Sequence, residues 1–401
     1  MTQFLSISSP FGSVFHRSII KSKQYQVLIS ITNSIFRIPT RHSSLQTGRN
    51  LSTLLVILSI SLLGPSNAFS IAPPDQSALI GLHGKVQDLK FKDYLTKTKG
   101  NPNRSYRHYR TAAAPSKPED CWPTLYFYHG VGGSHQSYPF LLKVIDSLDQ
   151  AGAIAPIQVL QINGNVGRAT ASFYTNSKLF GSYFNLIDNY FPKFAQKYHK
   201  ACQERDQNFI MGHSMGAFGA LQLALKSSLS WGGVAMHSGP VDLLEIQRLQ
   251  YRVIQEHQKP HKIPYPNSNA PDSSVFDPTR GKYSFMLYCM AGAFSPNKHK
   301  LYSVELPFKL DGTQNPDVLE RWQKHNPIEI LKGFSSHSHL PHKIWIDVGV
   351  QDHLQMLIPN QNLSETLSLL KIPHQFEVYP GGHGNRLKER FTLSLLYLLG
   401  K

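Results

Sequence analysis

Residues 208–226 constrain the fold of this chain more than any other stretch. They join a short apolar run, the pentapeptide GHSMG at 212–216, and an Ala- and Leu-rich segment with helical spacing. A strand that turns into a helix through G-x-S-x-G forms a tight elbow, in which both glycines are required because a Cβ would meet the neighbouring strand or helix. The turn lifts the Ser214 Oγ clear of the backbone and places the Met215 N–H at the positive end of the helix, where an oxyanion can be held. Ser214 is therefore the candidate nucleophile.

A glycine-rich loop after a second apolar strand supplies a partner for this elbow. The predicted strand at 122–128 runs into the sequence HGVGG at 129–133. A strand that ends in such a loop provides the second half of an oxyanion hole, because the glycines let main-chain N–H groups approach a tetrahedral intermediate. We expect the N–H of Val131 or Gly132 to act with that of Met215. A plain glycine-rich turn is the alternative.

An acid and a histidine follow the serine in the order that this architecture uses. Asp352 comes directly after a predicted strand at 343–349, at the carboxyl edge of the sheet, whereas its rival Asp347 lies inside that strand. His383 lies between glycines in the loop after the last predicted strand. We expect His383 to take the proton of Ser214 and Asp352 to fix the imidazole tautomer. Two further histidines flank this set and are expected to support it: His213 and His353.

The remaining pattern predicts a mainly parallel sheet flanked by helices, because strands and helices alternate along the chain. The predicted strands are 86–91, 122–128, 157–163, 209–211, 233–237, 343–349 and 375–379, with an amphipathic helix at 184–198. Residues 97–117 predict a hairpin whose strands the sequence does not place. Residues 241–342 exceed what the sheet needs and predict a lid-like insertion, with a surface excursion as the alternative.

Residues 1–68 have the character of a targeting segment. They contain no Asp or Glu, and an apolar run at 51–64 precedes small residues that suit cleavage after Ala68. The run is shorter than the about 20 residues of a membrane-spanning helix. We expect export, periplasmic or secreted, with the folded domain at 69–401. Because residues 1–50 are long for an n-region, translation from near Leu51, a membrane anchor and an organellar presequence remain alternatives.

Composition narrows the range of partners and cofactors. The chain has 401 residues, 41% of them hydrophobic, which is enough for one large α/β domain or two smaller ones. Its net charge of +16 comes from scattered residues without a nucleic-acid motif, so we expect no nucleic-acid partner. The three cysteines, Cys121, Cys202 and Cys289, allow at most one disulfide bond and form no C-x-x-C. The 19 histidines show no metal-ligand spacing, so we expect neither a metal nor an organic cofactor.

Together these segments resemble the putative-esterase family of the α/β-hydrolases, which includes S-formylglutathione hydrolases, feruloyl and enterochelin esterases, and mycolyltransferases. The matching segments are 126–133, 172–177, 209–221, 346–352 and 379–384. The resemblance covers roughly residues 120–400 and implies an α/β-hydrolase fold and hydrolysis of a small-molecule ester. Formylglutathione hydrolases tend to have Leu-Thr-Cys after His-Gly, whereas this chain has Val-Gly-Gly, and the export signal also argues against that cytosolic role.

The sequence therefore predicts an exported serine carboxylesterase, with a membrane contact only through an uncleaved N-terminal segment. An acyltransferase of the mycolyltransferase type is the alternative, because both activities use the same triad. A non-catalytic binding protein on this fold is the remote third hypothesis, and the intact Ser214, Asp352 and His383 argue against it.

Overall fold

The fold is known from a computed structural model, which describes residues 76–93, 95, 103–115, 120–166, 171–227, 229, 231–258, 281–297 and 304–401. The predicted targeting segment at 1–68 lies outside these residues. So do two parts of the predicted insertion, 259–280 and 298–303.

The described residues form a main sheet of eight strands in the order β1-β2-β4-β3-β7-β8-β9-β10. The strand β2 pairs antiparallel with β1 and β4, and every other pair in the sheet is parallel. The short strands β5 and β6 form a separate hairpin. The strands are β1 (Lys85–Lys92), β2 (Asn103–Arg110), β3 (Thr124–Tyr128), β4 (Gln158–Ile162), β5 (Asn176–Ser177), β6 (Gly181–Ser182), β7 (Asn208–His213), β8 (Gly233–His237), β9 (Lys343–Gly349) and β10 (Gln375–Tyr379).

Helices connect these strands in the alternation that the sequence predicts. They are α1 (Pro139–Gln150), α2 (Phe191–His199), α3 (Met215–Lys226), α4 (Gln250–His257), α5 (Lys282–Phe294), α6 (Pro316–Gln323), α7 (Pro327–Lys332), α8 (Leu357–Leu369) and α9 (Leu387–Leu399). A helical turn at Tyr183–Asn185 and a π-helical stretch at Leu186–Tyr190 lead into α2. Across the described residues, no helix has both the length and the apolar character that crossing a membrane requires.

Two hydrophobic clusters lie on opposite faces of the sheet. Residues of α1 and α9 form the first cluster, and residues of α2, α3, α5 and α8 contribute to the second. In β3, Leu125 and Phe127 belong to the first cluster, whereas Tyr126 and Tyr128 belong to the second, as a period of two requires. Because both faces are covered, the central parallel strands β3, β4, β7 and β8 are buried along their whole length. The predicted α/β-hydrolase fold with a mainly parallel sheet is confirmed.

The strand β2 lies within the segment that the sequence did not resolve. Its arginines suggest a surface loop, yet Arg107 is only 2% exposed because its Nε and Nη2 donate to the Asp88 carboxylate of β1 at 2.7 and 2.8 Å. Arg104 is likewise buried, and its Nε donates to Asp93 at 2.7 Å. Ion pairs with the adjacent strand β1 and with the residue that follows it therefore allow a strongly basic strand to join the sheet.

The insertion supplies α5, which belongs to the core. Its residues from Ser284 to Phe294 are all buried. A Cβ at Gly292 would lie 2.3 Å from the Phe180 ring, and the Ser177 hydroxyl donates to the Gly292 carbonyl at 2.5 Å. A surface excursion does not describe this helix, because a helix that is apolar on all sides requires burial on all sides.

Candidate active site

The GHSMG segment forms a sharp turn between β7 and α3. Ser214 occupies this turn with φ 56° and ψ −121°, a conformation that non-glycine residues adopt only where the surrounding structure enforces it. A Cβ at Gly212 would lie 2.2 Å from the Gly216 carbonyl, and a Cβ at Gly216 would lie 1.8 Å from the backbone carbonyl oxygen of Tyr128. The structure therefore confirms that both positions require glycine, one against the helix and one against β3.

The loops at the carboxyl edge of the sheet bring Ser214, His383 and Asp352 together. His383 Nε2 lies 2.9 Å from Ser214 Oγ, and His383 Nδ1 lies 2.8 Å from Asp352 Oδ2. Burial acts to raise the pKa of Asp352, but His383 and the Leu354 N–H, which donates to Oδ1 at 2.8 Å, hold that pKa below its usual value. Asp352 is therefore an anion that orients the Nδ1–H of His383.

The rival acid, Asp347, belongs to a second buried network. Its carboxylate accepts hydrogen bonds from His237 Nδ1 at 2.9 Å, from Trp345 Nε1 at 2.8 Å and from Arg390 Nε at 3.1 Å. The Ser394 hydroxyl lies 3.2 Å from His237 Nε2, so this network repeats the order serine, histidine and aspartate. Ser394, His237 and Asp347 have no exposed surface, so a substrate cannot reach them in the folded protein.

The loop predicted as half of an oxyanion hole, residues 129–133, is called the oxyanion loop and lies against Ser214. A Cβ at Gly130 would be 3.2 Å from the Ser214 Cβ, and Gly132 has φ 76°, which favours glycine. The loop carries Val131 and Gly132, while Met215, the first residue of α3, directs its N–H out of the helix start, where no intrahelical acceptor exists. The three predicted donors therefore belong to two segments that meet at the serine.

His129 fixes the start of this loop. Its Nδ1 donates to the Gly130 carbonyl at 2.8 Å, because a carbonyl can only accept, and its Nε2 accepts the Gly164 N–H at 2.8 Å. Burial lowers the pKa of His129 to about 4, so the ring is neutral at neutral pH. The ring thus holds the backbone on both sides of the loop without adding a charge beside the site.

Two histidines that the sequence places beside the site are in contact with His383. The rings of His213 and His353 lie 5.0 and 5.8 Å from that of His383, measured between centroids. Burial and the charge of Lys282 lower the pKa of His353 to about 4. Lys282 is the first residue of α5, so the insertion places a positive charge within electrostatic range of His353 and Asp352. Sequence reasoning missed Lys282, and it missed Tyr138, whose hydroxyl is 2.9 Å from His213 Nδ1.

The segment after β4 packs against β3 and the start of the oxyanion loop. Phe173 and Tyr174 both have positive φ, 48° and 49°. The Tyr174 ring is fully buried against Tyr128, and its hydroxyl donates to the His129 carbonyl at 3.3 Å. Tyr174 therefore packs against the start of the oxyanion loop, and it belongs to the segment that the resemblance associates with the pocket.

Two of the three cysteines form a disulfide bond, which is the most that the sequence allows. Cys121, just before β3, is bonded to Cys202, just after α2, and Cys289 is a buried free thiol in α5. Within the described ranges, the cluster that resembles a metal site consists of Cys121, Cys202 and Glu204. Both of its sulfurs are in the disulfide, so neither is available as a thiolate ligand.

Comparison with solved structures shows the fold. A ferulic acid esterase matches with a TM-score of 0.53 and 17% identity, covering 79% of this chain and 97% of that one. An S-formylglutathione hydrolase from Agrobacterium tumefaciens gives 0.51 and 13%, covering 80% and 97%. An S-formylglutathione hydrolase from Staphylococcus aureus gives 0.50 and 18%, covering 78% and 99%.

Sequence comparison shows the family. No protein with a curated description matches the sequence. The sequence profile of the family described as "Putative esterase" matches residues 111–396, which span β3 to β10 and every group of the Ser214 site. The chain is therefore a member of this esterase family of α/β-hydrolases.

Proposed function

We propose that this protein is an exported serine carboxylesterase in which Ser214, His383 and Asp352 form the catalytic triad. The observation that carries the proposal is the continuous line of short contacts from Asp352 Oδ2 through the His383 ring to Ser214 Oγ, at 2.8 and 2.9 Å. This line ends on a serine that is held in a strained turn at the edge of the sheet, as a nucleophile must be.

The hydrogen-bond directions assign a role to each residue. An anionic Asp352 accepts the Nδ1–H of His383, which leaves the Nε2 lone pair to accept the Ser214 proton as Oγ attacks the ester carbonyl. The oxyanion is held by the Met215 N–H together with that of Val131 or Gly132. His383 then protonates the leaving alcohol, and water repeats the sequence on the acyl-enzyme.

Export is supported by two independent features. The acid-free segment at 1–68 ends in an apolar run and a cleavage motif of the secretory type. Cys121 and Cys202 form a disulfide bond, and disulfide bonds persist in oxidising compartments but are rare in reducing ones. Both features also suit a membrane-anchored form of the protein, which an uncleaved N-terminal segment would produce.

The test is hydrolysis of p-nitrophenyl esters, from acetate to palmitate, by the purified protein. We expect turnover that disappears in Ser214→Ala and persists in Ser394→Ala, because Ser394 is the fully buried serine of the second network. Absence of hydrolysis by the folded wild-type protein for every ester would refute the esterase proposal. Added alcohol that becomes acylated in preference to water would instead identify acyl transfer by the same triad.

A further inference from the structure

A second line of hydrogen bonds joins the two halves of the candidate active site. The Gly130 N–H donates to the Tyr138 hydroxyl oxygen at 3.2 Å, that hydroxyl lies 2.9 Å from His213 Nδ1, and His213 Nε2 lies 2.8 Å from the His383 carbonyl oxygen. The line therefore begins in the oxyanion loop and ends on the backbone of the histidine that contacts Ser214. None of its atoms is one of the reacting atoms.

The direction of each bond in this line is fixed. The His383 carbonyl can only accept, so His213 Nε2 carries the proton and donates it. A neutral imidazole then accepts at Nδ1, which makes the Tyr138 hydroxyl the donor to His213. The same hydroxyl oxygen accepts from Gly130. With one tautomer and one hydroxyl orientation available, the line has a single arrangement.

Burial keeps this arrangement intact. Burial first, and then the proximity of His383, lower the pKa of His213 to about 3, so the ring stays neutral. Burial raises the pKa of Tyr138 to about 12, so its hydroxyl keeps the proton that it donates. The Tyr138 ring packs edge-on against Phe127 at 4.9 Å between centroids and also contacts Phe391 at 6.2 Å. The tyrosine is therefore held by the core independently of its hydroxyl.

The Gly130 peptide is held from both sides. Its carbonyl accepts His129 Nδ1–H at 2.8 Å and the Gly133 N–H at 3.1 Å, while its N–H is committed to Tyr138. That commitment also means that the Gly130 N–H is not directed at an oxyanion, which leaves the following residues of the loop to provide the donor. A shift of Tyr138 thus moves the start of the oxyanion loop.

We propose that Tyr138 and His213 are positioning residues that fix the oxyanion loop and the loop that carries His383 relative to each other, on the two sides of Ser214. This inference rests on the proposed esterase function and adds to it a coupling between two segments that are far apart in sequence. The groups act through the backbone of Gly130 and His383, so their loss displaces catalytic groups without removing any of them. A displacement of about 1 Å costs up to roughly 100-fold in rate.

The first variant is Tyr138→Phe, which removes one hydroxyl and keeps the ring in its packing. We expect kcat to fall by about 10- to 100-fold with KM nearly unchanged, because the lost contacts align groups for the transition state. Tyr106→Phe is the matched control. It removes another buried tyrosine–histidine hydrogen bond, from Tyr106 Oη to His199 Nε2 at 2.8 Å, on β2, which lies next to the edge strand β1. We expect this control to keep the wild-type kcat.

Variants of His213 test whether the two residues act as one unit. His213→Leu breaks both of its bonds, whereas His213→Gln keeps an amide N–H that can reach the His383 carbonyl. We expect Gln to recover part of the rate that Leu loses. The double variant Tyr138→Phe/His213→Leu is expected to be no slower than His213→Leu alone, because His213→Leu already removes the hydrogen bond that the Tyr138 hydroxyl makes to His213.

All rates are referred to active sites counted with a p-nitrophenyl phosphonate, which releases one p-nitrophenol for each reactive Ser214. A kcat per titrated site within twofold of wild type in both Tyr138→Phe and His213→Leu overturns the positioning role while the esterase function stands. A wild-type protein that neither hydrolyses esters nor reacts with the phosphonate overturns the function, and the positioning role falls with it. Slower turnover per site, with the Tyr106→Phe control unaffected, supports both.

Discussion

Acidification should destabilise this protein well before its carboxylates titrate. His129 and His213 are buried as neutral rings, and burial lowers their pKa values to about 4 and about 3. In the unfolded chain both imidazoles bind a proton below a pKa of about 6.5. The stability that comes from their neutral burial is therefore complete above about pH 6.5, and it is lost progressively as the pH falls toward their folded pKa values.

The size of the effect follows from the two pKa values of each ring. At about pH 5 the unfolded state is about 1.5 pH units below its histidine pKa, whereas the folded rings are still mostly neutral, which costs about 2 kcal/mol for each histidine. The two rings together account for a loss of about 4 kcal/mol, a large share of the roughly 5–15 kcal/mol that stabilises an ordinary domain.

Urea unfolding at about pH 7.5, 6 and 5 measures this loss directly. We expect His129→Gln to be less stable than wild type at the highest pH, yet to lose about 2 kcal/mol less on acidification, since one titrating ring is gone. The control is His339→Gln, because His339 is exposed, and it should lose as much stability as wild type. An equal loss in His129→Gln and wild type would refute the role assigned to this ring.

The two acids of the late strand region should differ in what their loss affects. Asp352→Asn should lower kcat by about 10⁴-fold through the wrong His383 tautomer. Asp347→Asn should keep kcat and lower the free energy of unfolding by about 3–5 kcal/mol, because Arg390 loses a buried partner; a turnover defect there, measured with p-nitrophenyl esters, would contradict this division. Reducing the Cys121–Cys202 bond, which spans a sequence separation of 81, should lower the free energy of unfolding by about 4.5 kcal/mol, measured by urea unfolding of the oxidised and the reduced protein. An unchanged midpoint would contradict that estimate.

The parts of the site that the sequence predicted are those that a local pattern encodes. Gly212, Ser214 and Gly216 follow from the steric demands of one turn, and His383 and Asp352 each come directly after a strand whose composition marks its end. Parallel strands then bring their carboxyl ends to one edge without further information. The geometry that the structure gives these residues agrees with that reasoning.

The parts that it did not predict depend on contacts between distant segments. Tyr138 has no motif around it, and its partner His213 is distant in sequence, so only the folded structure, which brings the residue before α1 beside the end of β7, reveals their bond. The charge of Lys282 acts on the site because of where α5 is buried, and periodicity does not show that position for a helix that is apolar on all sides. The strand β2 was not predicted because its composition, rich in arginine, is typical of an exposed loop, whereas Arg104 and Arg107 are buried.

The burial of α5 has a consequence for how substrate preference can change in evolution or by engineering. A segment that shapes a pocket can be exchanged as a module only when it rests on the surface, whereas α5 interlocks with Phe180 and Phe218 through Gly292 and Phe294. Grafting this helix from a relative would therefore disrupt packing in the core. The half-buried first turn carries Lys282, whose charge lowers the pKa of His353, so single substitutions there can alter the electrostatics of the site without that penalty.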